Sequence, residues 1–370
     1  MMKRIGYYIF AGFFCLFRLF PLQKKKAFMI ATHDDSPEGN IGLVAEKIRA
    51  VRPDYKIVYL TKRDGIRRPL SFFFSKAYHM ATAGTIFLDN VFMPMAYTPI
   101  SEKAKVVQLW HGTGTIKKFG QDSDTGEVAE ISRKGNGRIT HLIVSSDKTK
   151  KQYAGAFGIP EERAYVTGLP RTDLILDDGK LEQKRKAFWG QYPELKGKKI
   201  TLYAPTFRDW EVDEPKIMLD FESFAGGMGE DDVLLLRLHP FVAERLPEEC
   251  FRKYGEKIIN MSGYPGVTTL LAVADCLITD YSSIIYEYCL FRKPMIFYAY
   301  DLEAFKQEGR NFYEDYESLV PGPVAKNQTE LEQIWHGRDC LGGEISSFIE
   351  ENFAYLDNNS VNRLLELIFE

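Results

Sequence analysis

Cysteine and histidine are scarce in this sequence, and neither is arranged as a set of ligands. The five cysteines include no CxxC pair, so neither a disulfide framework nor a zinc site is indicated, and the scattered set is typical of reduced thiols in a cytosolic protein. The six histidines show no HxxxH spacing, and we therefore expect no cofactor and no protein-held metal. The chain also lacks the GxxxxGK(S/T) and GxGxxG patterns, which excludes two familiar nucleotide-phosphate loops.

Acidic residues are absent from residues 1–26, which carry six lysines and arginines. Residues 1–76 hold 15 basic and 6 acidic residues, a net charge of +9, whereas residues 77–370 hold 33 and 45, a net charge of −12. A basic front on an acidic body indicates that one end of the protein meets an anionic surface. It argues against a nucleic-acid partner, because a nucleic-acid footprint usually makes a whole domain basic.

The first 26 residues combine these cations with an apolar, aromatic run from Ile5 to Leu22. The run has no small-residue cleavage site, which argues against a secretory signal. Arg18 and Pro21 interrupt it, which weakens a transmembrane helix of about 20 residues. We predict a membrane-associated amphipathic helix that lies in the interface among anionic headgroups. A short spanning helix and a buried N-terminal helix are the alternatives.

A second basic and aromatic stretch occupies residues 62–76 and includes Phe72, Phe73 and Phe74. One interpretation is that it docks on the same anionic surface. The other is an ordinary helix whose phenylalanines lie partly in the core, and the sequence favours neither.

Short apolar strands alternate with helical segments from residue 27 onward, which predicts an α/β protein with two doubly wound, Rossmann-like domains. The predicted strands are Ala27–Thr32, Lys56–Leu60, Thr85–Leu88, Val106–Trp110, Leu142–Ser145, Ile200–Ala204, Val233–Leu238, Ile258–Asn260, Cys276–Thr279 and Met295–Tyr298. The predicted helices are Ile41–Ala50 with Asn40 as its N-cap, Leu70–Ala81, Lys148–Phe157, Leu181–Trp189, Val267–Ala274, Ser283–Phe291 and Val361–Phe369.

These elements predict four segments along the chain. The N-terminal segment covers residues 1–26, the first domain residues 27–178 and the second domain residues 179–350. The last segment, residues 351–370, contains a helix that could cross back to the first domain. Two such domains facing a cleft would place a ligand at the carboxyl ends of their strands, which is where the polar motifs of this chain fall.

The motif WHGTGTIKK follows a predicted strand of the first domain. Gly112 allows backbone N–H groups to approach an anion, and Lys117 adds positive charge. His111 could act as a general base, because the pKa of a histidine lies near neutrality. A histidine that only caps a turn is an equally good interpretation from its position. Arg171, in the motif GLPRTD, is a candidate anion contact by its charge.

The second domain repeats this placement of polar residues after strands. Thr206 and Arg208 open its first loop and suit phosphate, although Arg208 could instead pair with Asp209 on the surface. His239 ends another buried strand. The stretch TDYSSIIYEY supplies the remaining candidates, which are Asp280, Ser282, Ser283 and Glu287. A helix beginning at the two serines would offer free N–H groups to an anion, although a plain N-cap is common.

The ordered motifs WHGTGTIKK, GLPRTD, YAPTFRD, RLHP, TDYSSIIYEY and PMIFYAYDLEAF resemble the CDP-glycerol glycerophosphotransferase family of teichoic acid synthesis over about residues 27–320. The resemblance implies a GT-B-like fold, bound to the cytoplasmic face of the bacterial membrane without crossing it. It also implies transfer of glycerol phosphate from CDP-glycerol to a hydroxyl of an undecaprenyl-diphosphate-linked disaccharide, with release of CMP. Other teichoic acid enzymes are further candidate partners.

The resemblance also implies roles for the candidate residues. His111 resembles the family's base at the acceptor hydroxyl, and His239 the histidine expected to bind the donor pyrophosphate. Residues that resemble donor-phosphate contacts are Arg208, Asp280, Ser282 and Ser283. The first domain would then bind the acceptor and the second the donor. Glu287 as a ribose contact is an inference from GT-B enzymes generally.

Two departures from the family pattern bear on the product. The chain is similar in size to primases that add the first glycerol phosphate, and the Gly114-Thr115 pair replaces the proline-containing version common in polymerases. Both favour a primase. A polymerase and a ribitol-phosphate transferase share the motifs and remain alternatives. A GT-B glycosyltransferase that uses a sugar nucleotide, and a membrane-bound nucleotide-binding scaffold without activity, are the remaining hypotheses.

Overall fold

The computed structural model describes residues 2–67, 69–208, 216–245, 249–309 and 311–370. The chain forms two compact units. Unit 1 comprises Met1–Thr113, Phe119–Leu174 and Asn352–Glu370, and unit 2 comprises Gly114–Lys118 and Ile175–Glu351. The proposed surface partner of Arg208, Asp209, lies outside the described residues, as does Arg68 of the second basic stretch.

Unit 1 is built on a parallel sheet with the strand order β2-β1-β3-β4-β5-β6. Its strands are β1 (Gln23–Ala31), β2 (Lys56–Thr61), β3 (Ala83–Leu88), β4 (Lys105–Gln108), β5 (His141–Val144) and β6 (Ala164–Val166). Its helices are α1 (Met2–Phe17), α2 (Asn40–Val51), α3 (Lys62–Arg67), α4 (Ala77–Ala81), α5 (Gly126–Asn136), α6 (Asp147–Phe157) and α7 (Pro170–Ile175). Shorter turns are a π-helix at Ser71–Lys76 and 3-10 helices at Met93–Tyr97, Gly120–Asp122 and Glu161–Arg163.

Unit 2 contains a second parallel sheet with the strand order β12-β11-β10-β7-β8-β9. Its strands are β7 (Lys199–Ala204), β8 (Asp232–Leu236), β9 (Ile258–Asn260), β10 (Cys276–Thr279), β11 (Met295–Tyr298) and β12 (Val324–Ala325). Its helices are α8 (Asp178–Gln191), α9 (Phe221–Gly227), α10 (Pro240–Ala243), α11 (Glu249–Arg252), α12 (Val267–Val273), α13 (Ile285–Tyr288), α14 (Leu302–Glu308), α15 (Tyr316–Leu319), α16 (Gln328–His336) and α17 (Ile345–Asn352). The 3-10 turns are Pro193–Leu195, Cys289–Phe291 and Arg338–Cys340. The predicted α/β architecture with two parallel sheets is confirmed.

The C-terminal helix α18 (Ser360–Phe369) packs within unit 1 beside α2. Both helices bury residues at the spacing i, i+3, i+4 and i+7, which is the stripe of an amphipathic helix. In α2 the stripe is Ile41, Val44, Ala45 and Ile48, and in α18 it is Val361, Leu364, Leu365 and Ile368. These two stripes and the strands β1, β3, β4 and β5 form one core. The β3 residues are all buried, as expected of a strand covered on both faces.

Two local predictions about the start of unit 1 were wrong. Asn40 is not the N-cap of α2, because Gly39 occupies that position, and the Asn40 side chain instead connects two loops. Strand β1 begins at Gln23 rather than Ala27, so Lys24, Lys25 and Lys26 belong to a strand. Lys26 is completely buried, and it therefore cannot meet a membrane surface.

The N-terminal helix α1 has one buried face, as a buried N-terminal helix would, and one exposed apolar face, as an interfacial helix would. Phe10, Phe14 and Phe17 are buried within unit 1. Ile5, Tyr8 and Ile9 on the same helix remain exposed. Across the described part of the chain, no helix has both the length and the apolar character needed to cross a bilayer.

Candidate active site

His111 lies three residues after Gln108, which is the last residue of β4. It is therefore at the same edge of the parallel sheet as the carboxyl ends of β1 and β3. Its Nδ1 lies 2.9 Å from the backbone carbonyl oxygen of Asp89, which follows β3 directly. A carbonyl only accepts hydrogen bonds, so Nδ1 carries the proton and the neutral ring keeps a lone pair on Nε2. Burial, together with the neighbouring His33 and Arg171, lowers the pKa of His111 to about 3. The ring is therefore neutral at physiological pH and can accept a proton.

The backbone before His111 is held in an unusual conformation. Trp110 has a φ of 53°, in the left-handed region that costs a non-glycine residue roughly 1–2 kcal/mol. Its N–H donates to the side chain of Gln108 at 2.9 Å, and its carbonyl accepts from Asn40 at 3.0 Å. Its indole stacks on Phe119 at 5.2 Å between ring centroids. These contacts fix the turn that presents His111.

Arg171 supports this loop from α7 at the same edge of the unit 1 sheet. Its guanidinium donates to the backbone carbonyl of His111 at 2.8 Å and lies 3.6 Å from a carboxylate oxygen of Asp34. Its backbone N–H donates to Asn40 at 3.0 Å. Gly112 is held in the same way, since its carbonyl accepts from the Tyr153 hydroxyl at 2.9 Å. The structure therefore brings Gly112 and Arg171 together with His111.

Sequence reasoning missed two residues of this cluster, His33 and Asp89. The imidazole of His33 stacks on that of His111, with 3.7 Å between centroids and 10° between planes. Both missed residues follow a strand at the carboxyl edge of the sheet, His33 after β1 and Asp89 after β3. The placement rule that selected His111 would have selected them also.

The second half of the WHGTGTIKK motif packs within unit 2. The Tyr286 hydroxyl donates to the carbonyl of Thr115 at 3.0 Å, and Gly114 lies so close to the Tyr286 ring that an added Cβ would overlap it. Lys117 forms an antiparallel bridge with Phe312, and its Nζ lies 5.7 Å from the centroid of the Phe305 ring. Lys117 is therefore placed beside the aromatic residues of unit 2.

Arg208 lies in a buried ion-pair network at the carboxyl ends of β7 and β10. Its guanidinium donates to Asp280 at 2.7 Å and to both carboxylate oxygens of Asp301 at 2.8 and 3.0 Å. It also donates to the backbone carbonyl of Thr206 at 2.6 Å. Four of its five N–H donors are thus bound to protein oxygens, and the two carboxylates exceed its single positive charge. Direct contact between Arg208 and a donor phosphate stays a prediction.

Asp280 acts in the same network as an acceptor. Its Oδ1 accepts from the backbone N–H groups of Thr206 at 2.8 Å and Tyr281 at 2.6 Å, and its Oδ2 accepts from Arg208. Tyr281 closes the network, because its hydroxyl donates to Asp301 at 2.9 Å. Burial raises the pKa of Tyr281, so the phenol stays protonated. Sequence reasoning missed Tyr281 and Asp301.

Thr206, Arg208 and His239 line one small cavity of about 20 Å³, which has room for roughly one water molecule. The buried Oγ1 of Thr206 has no hydrogen-bond partner among the described residues. His239 is exposed, and its Nδ1 accepts from the backbone N–H of Phe241 at 3.3 Å. The neutral ring therefore carries its proton on Nε2, which can donate to an anion.

The serine pair lies in a turn before a short helix. The predicted helix Ser283–Phe291 is an α-helix only over Ile285–Tyr288, continued by a 3-10 turn. Its dipole is therefore smaller than the prediction assumed. Ser283 is exposed, Ser282 accepts from the N–H of Ile284 at 3.4 Å, and Glu287 is buried. Within the described residues, no three His, Cys, Asp or Glu side chains form a group that could hold a metal.

Sequence comparisons with known proteins identify the family of this chain. A family model described as CDP-Glycerol:Poly(glycerophosphate) glycerophosphotransferase matches residues 12–370. The chain is 34% identical to a teichoic acid poly(ribitol-phosphate) polymerase of Bacillus spizizenii, over 99% of this chain and 60% of that protein. It is 30% identical to a teichoic acid glycerol-phosphate primase of Bacillus subtilis, over 79% of this chain and 74% of that protein.

The fold is similar to that of a solved wall teichoic acid polymerase, TagF. The TM-score is 0.83 at 22% identity, and the match covers 100% of this chain and 95% of that chain. The similarity is one of fold, covers both parallel sheets and agrees with the predicted GT-B-like fold. The chain spans only about three fifths of the length of the poly(ribitol-phosphate) polymerase that it matches.

Proposed function

The chain belongs to the CDP-glycerol:poly(glycerophosphate) glycerophosphotransferase family, and from this premise we propose that it transfers a polyol phosphate from a CDP-polyol to a hydroxyl of a teichoic acid acceptor. The observation that carries the proposal is the geometry of His111. Its Nδ1 proton is bound to Asp89, so its Nε2 lone pair is available to remove a proton. The polyol proposed first is glycerol, and the acceptor is a lipid-linked disaccharide that receives the first unit.

In the proposed reaction, the acceptor oxygen attacks the phosphorus that carries the polyol, in line with the bridging oxygen of the pyrophosphate. A new P–O bond forms, the bond to the bridging oxygen breaks, and CMP leaves with the electron pair. His111 takes the proton of the acceptor hydroxyl. The negative charge of a bound substrate near the ring would raise its pKa towards the range in which a general base is effective.

Unit 2 supplies the proposed donor contacts. The Nε2–H of His239 and the serine hydroxyls donate to phosphate oxygens, and Lys117 adds a positive charge. Arg208 and Asp280 hold the loop that carries Thr206, whose buried hydroxyl has no hydrogen-bond partner among the described residues. Such reactions depend mainly on positioning and electrostatic stabilisation, which these groups could provide.

The test incubates the purified protein with CDP-glycerol, CDP-ribitol or a UDP-sugar and a synthetic undecaprenyl-diphosphate disaccharide, with mass spectrometry of the lipid product. We expect the mass of one glycerol phosphate. His111→Gln should lower turnover by about 10²–10⁴-fold, the contribution of a general base, and leave donor binding intact. His141→Gln, another partly buried histidine of unit 1, is the matched control.

Each other product supports a different activity. Transfer of ribitol phosphate identifies the second candidate, which the 34% identity to a poly(ribitol-phosphate) polymerase favours. A ladder of masses indicates a polymerase, and transfer of a sugar indicates a glycosyltransferase. Full turnover by His111→Gln contradicts the proposed base, and no transfer from any donor favours a binding scaffold.

We also propose that unit 1 docks on the membrane from which the acceptor is presented. An apolar groove of about 520 Å³ lies between α1 and the Ser71–Lys76 turn. Its lining includes Ile9, Phe13, Leu70, Phe73 and Phe74. Two exposed cations, Arg18 and Lys24, follow α1 in the sequence. Apolar side chains flanked by cations suit the interface of an anionic bilayer.

A further inference from the structure

The stacked pair of His33 and His111 is the feature of unit 1 that the proposed reaction leaves unexplained. A parallel stack at 3.7 Å leaves no room for water between the two rings over their shared face. It also prevents the His111 ring from rotating about its Cβ–Cγ bond without displacing His33. The second histidine therefore restricts the ring that carries the proposed base.

One residue, Asp89, holds both members of the stack. Its carboxylate accepts from the backbone N–H groups of Thr32 at 2.9 Å, His33 at 3.1 and 3.2 Å, and Asp34 at 2.9 Å. Its backbone carbonyl accepts from the ring of His111 at 2.9 Å. Asp89 is 2% exposed, so these hydrogen bonds are shielded from water. The position of one ring is thus fixed relative to the other through a single anchor.

Burial, more than the surrounding charges, favours neutral rings in the stack. The charged groups that face it are Arg171, Asp34, Asp89 and Lys62. Burial lowers the pKa of both histidines, and two imidazolium ions stacked at this distance would repel each other. Arg171 opposes protonation, and Asp34 and Asp89 favour it at His33. Protonation of either ring therefore opposes protonation of the other.

We infer that His33 is a positioning residue that keeps the Nε2 lone pair of His111 aimed at the acceptor hydroxyl. The inference rests on the proposed function, because it assigns His33 to the same reaction. His33 acts through His111, by filling the face of its ring, and not by touching the substrate. Its flat shape matters more to this role than its own proton.

The kinetic test compares His33→Ala with His33→Phe in the full chain. His33→Ala removes the stack, and we expect kcat to fall roughly 10- to 100-fold, the effect of a misplaced catalytic group, with the KM for the CDP-polyol nearly unchanged. The acid limb of its kcat profile should move to higher pH, because water reaches His111 and raises its pKa towards about 6.5. His33→Phe keeps a flat ring and should retain most of kcat and the wild-type pH profile.

A second measurement does not depend on activity. Histidine ¹⁵N NMR of the free wild-type protein should show His111 as the Nδ1–H tautomer and unprotonated at pH 5, whereas in His33→Ala it should titrate above that pH. If the wild-type protein shows this NMR signature but catalyses no transfer, only the proposed function is refuted. An Nε2–H tautomer in the wild type, or equal kcat and pH profiles for wild type and His33→Ala, would refute the role of His33.

Discussion

Arg208 illustrates how much a residue's role depends on contacts that are distant in sequence. Its motif suits a phosphate contact, but in the structure it binds Asp280 and Asp301, which lie 72 and 93 residues away. The loop that contains Arg208 gives no indication of these partners, and the sequence offered only Asp209. We attribute to Arg208 the organisation of the loop ends at the carboxyl edge of unit 2.

Replacement of Arg208 by lysine tests this organising role. An ammonium group cannot donate to two carboxylates in the planar, bidentate geometry of a guanidinium, so a buried carboxylate loses its partner. We expect Arg208→Lys to lower the free energy of unfolding by about 3 kcal/mol, in the range for a broken buried ion pair. Urea denaturation followed by circular dichroism measures it.

The matched control for this substitution is Arg245→Lys, at an exposed arginine of the same unit. It should change the free energy of unfolding by less than about 0.5 kcal/mol. Equal denaturation midpoints for the two variants would show that the network around Arg208 does not stabilise unit 2.

Lys26 is a buried cation whose burial should make stability depend on pH. Its Nζ donates to the Thr82 hydroxyl at 2.5 Å and lies 4.9 Å from the Tyr78 ring centroid. Burial, with a smaller effect of Lys56, lowers its pKa from 10.5 to about 8. Between these two values the unfolded chain binds more protons, so stability rises with pH across this window. Below about pH 8 the folded protein bears the whole cost of burying the charge.

Lys26→Met tests this linkage, because it retains the unbranched stem and removes the charge. Thr82 still donates to the carbonyl of Tyr78, so its hydroxyl keeps a partner. We expect the variant to be at least as stable as the wild type at pH 7 and to lose the rise between pH 8 and 10.5. Thermal denaturation across this pH range measures both. The exposed Lys24→Met should keep the wild-type slope, and a wild-type slope in Lys26→Met would contradict the assignment.

Among the secondary-structure elements, the strands were the most predictable. Ile258–Asn260, Cys276–Thr279 and Met295–Tyr298 have the predicted bounds, because short apolar runs between turns fix a buried parallel strand. The ends of helices were harder to predict. The segment predicted as the helix Leu70–Ala81 contains a π-helical turn at Ser71–Lys76. The phenylalanines of this segment pack against α1, and this tertiary packing decides the geometry. Helical periodicity alone therefore does not predict the π-helical turn.

The loop Gly114–Lys118 depends on a close approach that only glycine permits. An alanine Cβ at Gly114 would overlap the Tyr286 ring, so the loop must shift and carry Lys117 with it. We expect Gly114→Ala to raise the KM for the CDP-polyol or lower kcat by up to about 100-fold, as for a catalytic group displaced by roughly 1 Å. Gly190→Ala is the control, because open space surrounds that position in α8. Steady-state kinetics with the donor varied measures both.

A second substitution separates this clash from other effects of alanine at Gly114. Tyr286→Leu removes the ring edge that the new Cβ meets. Together with Gly114→Ala it should lose less activity than the product of the two single effects predicts. Multiplicative losses would mean that the Gly114–Tyr286 approach does not determine the position of the loop.

For the whole molecule, the sequence predicted the two parallel α/β units, the family and a C-terminal helix that could cross back to the first domain, and Asn352–Glu370 does belong to unit 1. It did not predict that residues 114–118 pack with unit 2, although both flanking segments belong to unit 1. Such exchanges follow from long-range packing that alternation of strands and helices does not encode. His33 and Asp89 could have been selected from the sequence, because each follows a strand at the carboxyl edge of the sheet. Asp301 could be identified only from its contact with Arg208 in the structure.

The charge asymmetry of the chain concerns unit 1, whose cations differ in their availability. Lys26 is buried, Lys25 lies 2.6 Å from Asp54, and Arg4 lies 2.7 Å from Glu127. Exposed ion pairs of this kind weaken the field that reaches a membrane. Membrane attachment should therefore depend on the apolar groove at least as strongly as on the charge.

Vesicle co-sedimentation separates the apolar and the electrostatic parts of the proposed docking. Ile9→Asp combined with Leu70→Asp puts two carboxylates into the groove, and we expect it to abolish binding to phosphatidylglycerol vesicles at every salt concentration, because burying a carboxylate among lipid tails is unfavourable. Arg18→Gln combined with Lys24→Gln should weaken binding at low salt and leave a smaller salt dependence, since exposed charges are screened beyond about 8 Å at physiological ionic strength. Leu356→Asp, at an exposed leucine outside the groove, should bind as the wild type does. Wild-type binding by the double aspartate variant would show that this groove does not face the membrane.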